Sequence, residues 1–348
     1  MFTLRIGELP PVTIDWLLTG SRPVPTIAPK EVLIAVKATG ICGSDVHYYE
    51  HGGSANFALT SPMVLGHESA GEIVAIGDEV SRVKVGARVC LEPGVSCNTS
   101  ATQYYALPEH LAHPIPTHLS MEEGAMIEPL SVAVHAILSV AKATPDLNFA
   151  IFGAGPVGLL CMAVAKAIGA KRIVAVDINP ARLSFAKSYA ATDTYLPPLM
   201  DKDIDDTRLS YSRRVTAAMK AELSIPERGS GGIDIVVEAS GAEACVQIGC
   251  LLLRDQGQYI QVGGGSQAPM VPLFNLSTRE IVIKSSFRYG AGDYATAIDL
   301  VSQGKIDVKP LATHRFKFGD AAEAYKATQK GVGEDGKFII KAIIEGPE

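Results

Sequence analysis

The sequence predicts an α/β protein in which a doubly wound parallel-sheet domain is joined to a second, β-rich domain. Three observations carry this. The chain has 348 residues, more than one ordinary core accommodates, so at roughly 150 residues per domain two domains are expected. From about residue 130 apolar runs alternate with helical segments, the pattern of a parallel sheet covered on both faces. Before that, the chain is rich in Val, Thr, Gly and Pro and breaks into short alternating segments, the pattern of antiparallel strands.

Taken in order, "EVLIAVKATG" (31–40), "AGEIVAIG" (70–77) and "ARVCLEPG" (87–94) read as strands of the first domain. The second domain then runs "FAIFGAG" and a helix, "RIVAVD" and a helix, "IDIVVEASG" and a helix, then "QYIQVGGG" and "EIVIKSSF". After about 287 come helical segments "DYATAIDLVSQGK" and "DAAEAYKATQK" and a last strand, "KFIIKAII", a tail expected to return and complete the first domain. The expected division is therefore 1–128 with 287–348, and 129–286. No internal repeat is found. The charged stretch "LMDKDIDDTRLSYSRR" (199–214) reads as a solvated surface loop or helix.

Apolar residues make up 47% and charged residues 20% of the chain, the balance of a soluble globular protein. With 31 basic against 37 acidic residues the net charge is −6, which argues against nucleic acid or an anionic membrane as partner. The six cysteines show no CxxC pairing and the N-terminus lacks a secretory pattern, so reduced thiols and a cytoplasmic location are expected. The apolar stretch 149–170 has the length of a membrane span, but its glycines and proline divide it into strand, turn and helix.

Those glycines, Gly153, Gly155 and Gly158, form a Gly-x-Gly-x-x-Gly that follows a strand and opens a helix. The first allows a tight turn, the second lets the backbone approach a pyrophosphate, and the third permits close helix packing. Pro156 and Val157 open that helix, whose free N–H groups suit phosphates. Val157, Leu160, Cys161, Val164 and Ile168 share a helical face, as a buried helix requires. Nineteen residues after Gly158, Asp177 ends the strand "RIVAVD". A carboxylate there accepts from the adenosine ribose and repels a 2′-phosphate, so NAD is expected over NADP. Arg182, five residues on, bears on the same preference.

Cys42, His67 and Glu68, in "GICGSDVHYYEHGG" and "VLGHESAG", offer sulfur, nitrogen and oxygen donors. Such a set suits a catalytic zinc with an open fourth position. Taken alone, a single cysteine or histidine is more often an ordinary core residue.

The motifs "GICGSDVHYYEHG", "PMVLGHESAGEIVAIG", "EGAMIEPLSVAVHA", "FGAGPVGLLCMAVAKAIGA" and "SSFRYGAGDY" resemble the zinc-containing medium-chain dehydrogenases, in particular the polyol branch of sorbitol and xylitol dehydrogenases, from about residue 24 to the C-terminus. The resemblance implies a Rossmann domain beside a β-rich GroES-like catalytic domain, and reversible hydride transfer between a secondary alcohol and NAD. It also implies roles: Cys42, His67 and Glu68 as zinc ligands, Glu128 as the carboxylate that holds or exchanges with the metal-bound water, and Ser44 and His47 as proton relay. Arg288 and Tyr289 match residues that reach the polyol, and Tyr48 an aromatic pocket wall. A homo-oligomer formed through the cofactor domain is implied as well. Of the other histidines, His51, His110, His113 and His118 read as surface groups and His135 as structural.

The chain departs from the family in one place. Typical members carry, after "EPG", four closely spaced cysteines for a structural zinc and then a segment over the substrate cleft. Here "EPGVSCNTSATQYYALPE" connects across both, with Cys97 alone, and one thiol cannot make a tetrahedral site. One catalytic zinc and no structural zinc are therefore expected, with a cleft more open to bulky substrates. Three readings stand at this point: a polyol dehydrogenase, a dehydrogenase of the same chemistry tailoring a larger metabolite, and an NAD-binding protein without catalysis.

Overall fold

The computed structural model describes residues 2–6, 17–21, 23–54, 57–58, 63–93, 100–200, 207–266 and 268–347. Cys97 lies outside the described residues, and with it the expectation of a more open cleft. The chain forms two compact units, Met1–Glu128 with Ala297–Glu348, and Pro129–Thr296.

The second unit is built on a six-stranded, all-parallel sheet. Its order is Asp193–Tyr195, Arg172–Val176, Asn148–Phe152, Ile233–Glu238, Leu253–Gln261 and Val282–Ser285. The inner strands are buried on both faces, which is why they read as continuous apolar runs such as Phe149–Phe152. The chain reverses direction across the sheet between the first and fourth strands in chain order, and in open α/β sheets ligands bind outside the carboxyl ends of the strands at such a point. Helix Pro156–Ala167 begins with proline at its first position and is buried on every side from Gly158 to Ala165. The sequence placed a single apolar face on it; the close sheet and neighbouring helices leave no solvated face until Lys166.

Of the charged stretch 199–214, residues 201–206 lie outside the described residues, and 207–214 lead into helix Arg208–Glu222, solvated along its charged face as read, while Tyr211, Val215 and Met219, four apart, enter the core beside Tyr259 and Val236. Its charges occupy the opposite face. The return to the first unit falls at Ala297 instead of 287. The reason is local, since Asp293 bonds His135 and Ser139, and Tyr294 packs on Tyr289, all within the second unit.

The first unit holds a seven-stranded sheet with path Ala312–Phe316, Lys341–Glu345, Glu31–Gly40, Glu68–Ile76, Arg88–Leu91 and Ala112–Pro114, with Tyr104–Pro108 also pairing on Glu31–Gly40. Glu31–Gly40 alternates at first, burying Val32, Ile34 and Val36, the first two against Ile73, Val89, Leu91 and Leu107. At its far end Gly40 lies opposite Glu68 on one side and Ile343 on the other. The C-terminal strand thereby delivers its residues beside the start of Glu68–Ile76. Two smaller antiparallel pairs join Phe2–Ile6 to Leu17–Ser21 and Gly53–Ser54 to Phe57–Ala58.

The helical run Met121–Val140 is long and apolar enough to cross a bilayer by length and composition, and 72% of that window is buried inside the protein. It is assembled from helices Met121–Ala125 and Ile127–Val134 and a π-helical segment, His135–Val140.

Candidate active site

In the first unit the ligand atoms of Cys42, His67 and Glu68 lie within 4.8 Å of one another, and they are the one such group of three among the described residues. Local structure explains each position. Cys42 caps helix Gly43–His51, and its backbone N–H donates to Asp45 Oδ2 at 3.3 Å. Glu68 opens its strand and fills the space beside Gly40, where a Cβ would stand 2.2 Å from Glu68 Oε2. Glycine at 40 is thus required by close approach.

Two charged side chains that sequence reading passed over hold this trio. Asp45, fully buried, accepts from the Gly66 N–H at 3.2 Å and stands 3.4 Å from His67 Nδ1. Lys341, also buried, donates to Glu68 Oε1 at 2.6 Å and to the Ile41 carbonyl at 3.0 Å. Each left a signal: Asp45 follows Cys42 by three residues at a helix start, and Lys341 is a lone charge within the apolar "FIIKAII".

Electrostatics tie the group together. Burial acts to lower the His67 pKa, but Asp45 and Cys42 outweigh it and hold it well above the usual imidazole value. Burial acts to raise that of Asp45, yet His67 and the Gly66 and Cys42 amides bring it below the usual carboxylate value. Lys341 is raised: burial opposes its charge, while Glu68, Cys42 and then Glu128 favour it. A cation fits this site. Glu68 Oε2 is buried without a hydrogen-bond partner, an acceptor that a metal would satisfy, and the S, N, O donor set is that of zinc.

The other expected residues are placed as follows. Glu128 is buried near the start of helix Ile127–Val134, outside the close trio but within electrostatic reach of Lys341. Ser44 and His47 lie three apart on helix Gly43–His51, Ser44 half-buried and His47 exposed. Tyr48 is half-buried against the cluster containing Ile41, Tyr49 and Tyr325. Arg288 and Tyr289 belong to the second unit, both half-buried. His113 departs from expectation: it lies on strand Ala112–Pro114 and pairs with Glu92 at 2.6 Å, because the segment joins the sheet instead of looping over it.

In the second unit, Gly153 has φ +94° and Gly155 caps helix Pro156–Ala167 with open space where its Cβ would stand. A Cβ at Gly158 would meet the Gly153 carbonyl at 1.8 Å, so strand turn and helix touch. This leaves a cradle at the helix N-terminus of the kind that takes a pyrophosphate. Pro156, Val157 and Arg182 are half-buried. Asp177 accepts from the Ala154 N–H at 2.7 Å and the Asn179 N–H at 2.8 Å, so it is fixed beside the turn. Across the switch point, buried Glu238 accepts from the N–H groups of Ser240 and Gly241, at 2.8 and 3.0 Å, shaping the facing loop.

A dinucleotide cradle and a three-donor metal site in one chain define a metal-dependent dehydrogenase. Comparison with known proteins agrees. Residues 28–142 match the alcohol dehydrogenase GroES-like domain and residues 156–303 the zinc-binding dehydrogenase domain. The chain is 44% identical, over 93% of its length and 92% of the relative's, to a probable D-xylulose reductase A of Aspergillus fumigatus. Among solved structures it resembles 2R,3R-butanediol dehydrogenase from Bacillus subtilis (25% identity, 99% of each chain, TM-score 0.82). It also resembles L-idonate 5-dehydrogenase from Escherichia coli (25% identity, 99% of this chain and 97% of that one, TM-score 0.80). The chain belongs to the zinc-binding alcohol dehydrogenase family.

Proposed function

We propose that the chain is a zinc-dependent, NAD-linked dehydrogenase that interconverts a polyol, xylitol foremost, with its ketose. The observation that carries this is the Cys42, His67 and Glu68 cluster within 4.8 Å, in a chain 44% identical to a relative named as a D-xylulose reductase.

Cys42, His67 and Glu68 would hold one metal ion, with Glu128 available to hold or exchange the bound water. When bound, zinc supplies a Lewis acid that lowers the alcohol's pKa, and NAD supplies the hydride acceptor. The chain's own groups do the rest. The Asp45 carboxylate, 3.4 Å from His67 Nδ1, orients the ring by its charge. Ser44 takes the alcohol proton and passes it to His47, whose exposure lets it exchange with solvent. The Gly153–Gly155 turn and the helix N-terminus bind the pyrophosphate, Asp177 accepts from the adenosine ribose and excludes a 2′-phosphate by charge, and Arg182 flanks it. Arg288 and Tyr289 bind polyol hydroxyls, and Tyr48 offers the substrate an apolar wall. One zinc per chain is expected, since the segment between Pro93 and Ser100 offers only Cys97 where a structural site needs four donors.

The same reading makes the protein a cytoplasmic homo-oligomer. The five described cysteines are all free thiols, as a reducing compartment requires. Among the described residues the last strand of the parallel sheet, Val282–Ser285, is paired on one side, and Ile283 on it is 47% exposed. An apolar sheet edge of this kind calls for a second copy.

The test is a panel of initial rates of NADH formation over xylitol, sorbitol, arabinitol and bulky apolar secondary alcohols. Turnover fastest on a polyol supports the assignment. Silence on every polyol with turnover of bulky alcohols would assign the larger-substrate reading, which the one-cysteine segment favours.

A further inference from the structure

The segment Arg288–Tyr289–Gly290 carries an unusual backbone. Arg288 has φ +54°, the left-handed region that residues with a side chain rarely adopt. Strain of this kind persists only where the surroundings over-determine it. Here they do. Asp293 is buried at the start of helix Asp293–Ser302, and its Oδ2 accepts from the Gly290 N–H at 2.6 Å. The same oxygen accepts from His135 Nδ1 at 2.7 Å, and Oδ1 accepts from Ser139 Oγ at 2.7 Å. The Asp293 N–H in turn donates to the Gly290 carbonyl at 3.2 Å. Next in the chain, Tyr294 holds the Tyr289 ring edge-on, with centroids 4.9 Å apart and planes at 79°.

His135 and Ser139 both come from the π-helical segment His135–Val140. With more than four residues per turn, a π-helix sets positions i and i+4 almost above one another, so both side chains reach one carboxylate. A π-segment and a left-handed arginine are each uncommon, and both converge on Asp293.

We infer that Asp293 is a positioning residue for substrate binding: its carboxylate, fixed by His135 and Ser139, holds the Arg288–Tyr289–Gly290 turn in its left-handed form. This rests on the reading that Arg288 binds the polyol. Without the carboxylate the turn relaxes toward ordinary backbone angles, and the guanidinium and phenol lose their set positions. NAD binding, which depends on the Gly153–Gly158 turn, is untouched.

A double-mutant cycle on the zinc-loaded enzyme tests this, with xylitol as probe. Asp293→Ala should raise the xylitol KM about tenfold or more, the scale of a misplaced contact, and leave the NAD KM within about twofold. In an Arg288→Ala background, whose xylitol KM is itself raised, the same change should add less than about twofold, because coupled residues are not additive. Asp293→Asn, whose amide oxygen still accepts from Gly290, should recover most of the wild-type KM. Ser139→Ala, a milder change that leaves the turn's own bonds in place, should raise the xylitol KM in the same direction and serves where Asp293→Ala does not fold. Full additivity of the two substitutions, or an equal rise in the xylitol and NAD KM values, would overturn the positioning role while leaving Arg288 as a substrate residue. An Arg288→Ala enzyme with unchanged xylitol KM would instead remove the reading of Arg288, and this inference with it.

Discussion

Lys341 Nζ donates to Glu68 Oε1 at 2.6 Å, and both side chains are almost wholly excluded from solvent. The ammonium neutralises the carboxylate from one side and leaves Oε2 without a partner on the other. Removing one member of a buried pair strands the other's charge, at a cost of about 3–5 kcal/mol. A bound metal offers Glu68 a replacement partner. Lys341→Met should therefore destabilise the metal-stripped protein far more than the zinc-loaded one, widening the gap between their melting temperatures. Equal losses in both forms would mean that Lys341 does not share Glu68 with a cation.

Asp45 stands behind His67 at 3.4 Å and is the largest influence raising its pKa against burial. In the metal-free protein His67 therefore keeps its proton above the usual imidazole range, and a ligating imidazole must give that proton up. Zinc affinity should consequently rise with pH, by about tenfold per unit for each proton released, and fall as pH drops. Asp45→Asn should weaken zinc binding by roughly 10- to 100-fold, the range for such supporting carboxylates. It should also flatten the pH slope, because the carboxylate that favours the protonated imidazole is gone. Chelator competition between about pH 6 and 8 reads both effects, and a pH-independent affinity would contradict them.

Asp177 accepts from two backbone N–H groups, of Ala154 and Asn179, and so meets the ribose as a fixed carboxylate. Asp177→Ser removes the charge that excludes a 2′-phosphate. The ratio of kcat/KM for NAD over NADP should fall by about tenfold or more, as one lost charged hydrogen bond allows. An unchanged ratio would move the selectivity elsewhere, with Arg182 the next residue to alter.

Ile283 is on the strand that ends the parallel sheet among the described residues, 47% exposed. Placing a charge there, Ile283→Lys, should block edge-to-edge pairing. Light scattering should then give the mass of a single chain, against a multiple for the unaltered protein. The same multiple from both would place the contact on another surface.

Much of the fold was legible because its periods are strong. Continuous apolar runs such as "FAIF" and "IDIVVE" are what strands buried on both faces require, and the glycine fingerprint marks the first turn. Helix Arg208–Glu222 was less legible because its buried set includes Ser212 and Thr216, which look solvated in sequence yet are bonded inside, Ser212 to Gln247. Cys42, His67 and Glu68 were nameable by donor chemistry and resemblance. Lys341 was not, since it comes from a strand 273 positions beyond its partner Glu68 and only sheet register joins them. Asp293 was hidden for the same kind of reason, its partners His135 and Ser139 lying 158 and 154 positions away.

The most direct measurement combines metal content with turnover. The purified protein is assayed for zinc by elemental analysis, stripped with a chelator, reloaded, and tested at each stage for xylitol-dependent NADH formation. The expected result is about one zinc per chain, as a single catalytic site requires, with activity lost on stripping and regained on reloading. Full activity without zinc, or a zinc-loaded protein inert toward xylitol and every other polyol, would contradict a zinc-dependent polyol dehydrogenase.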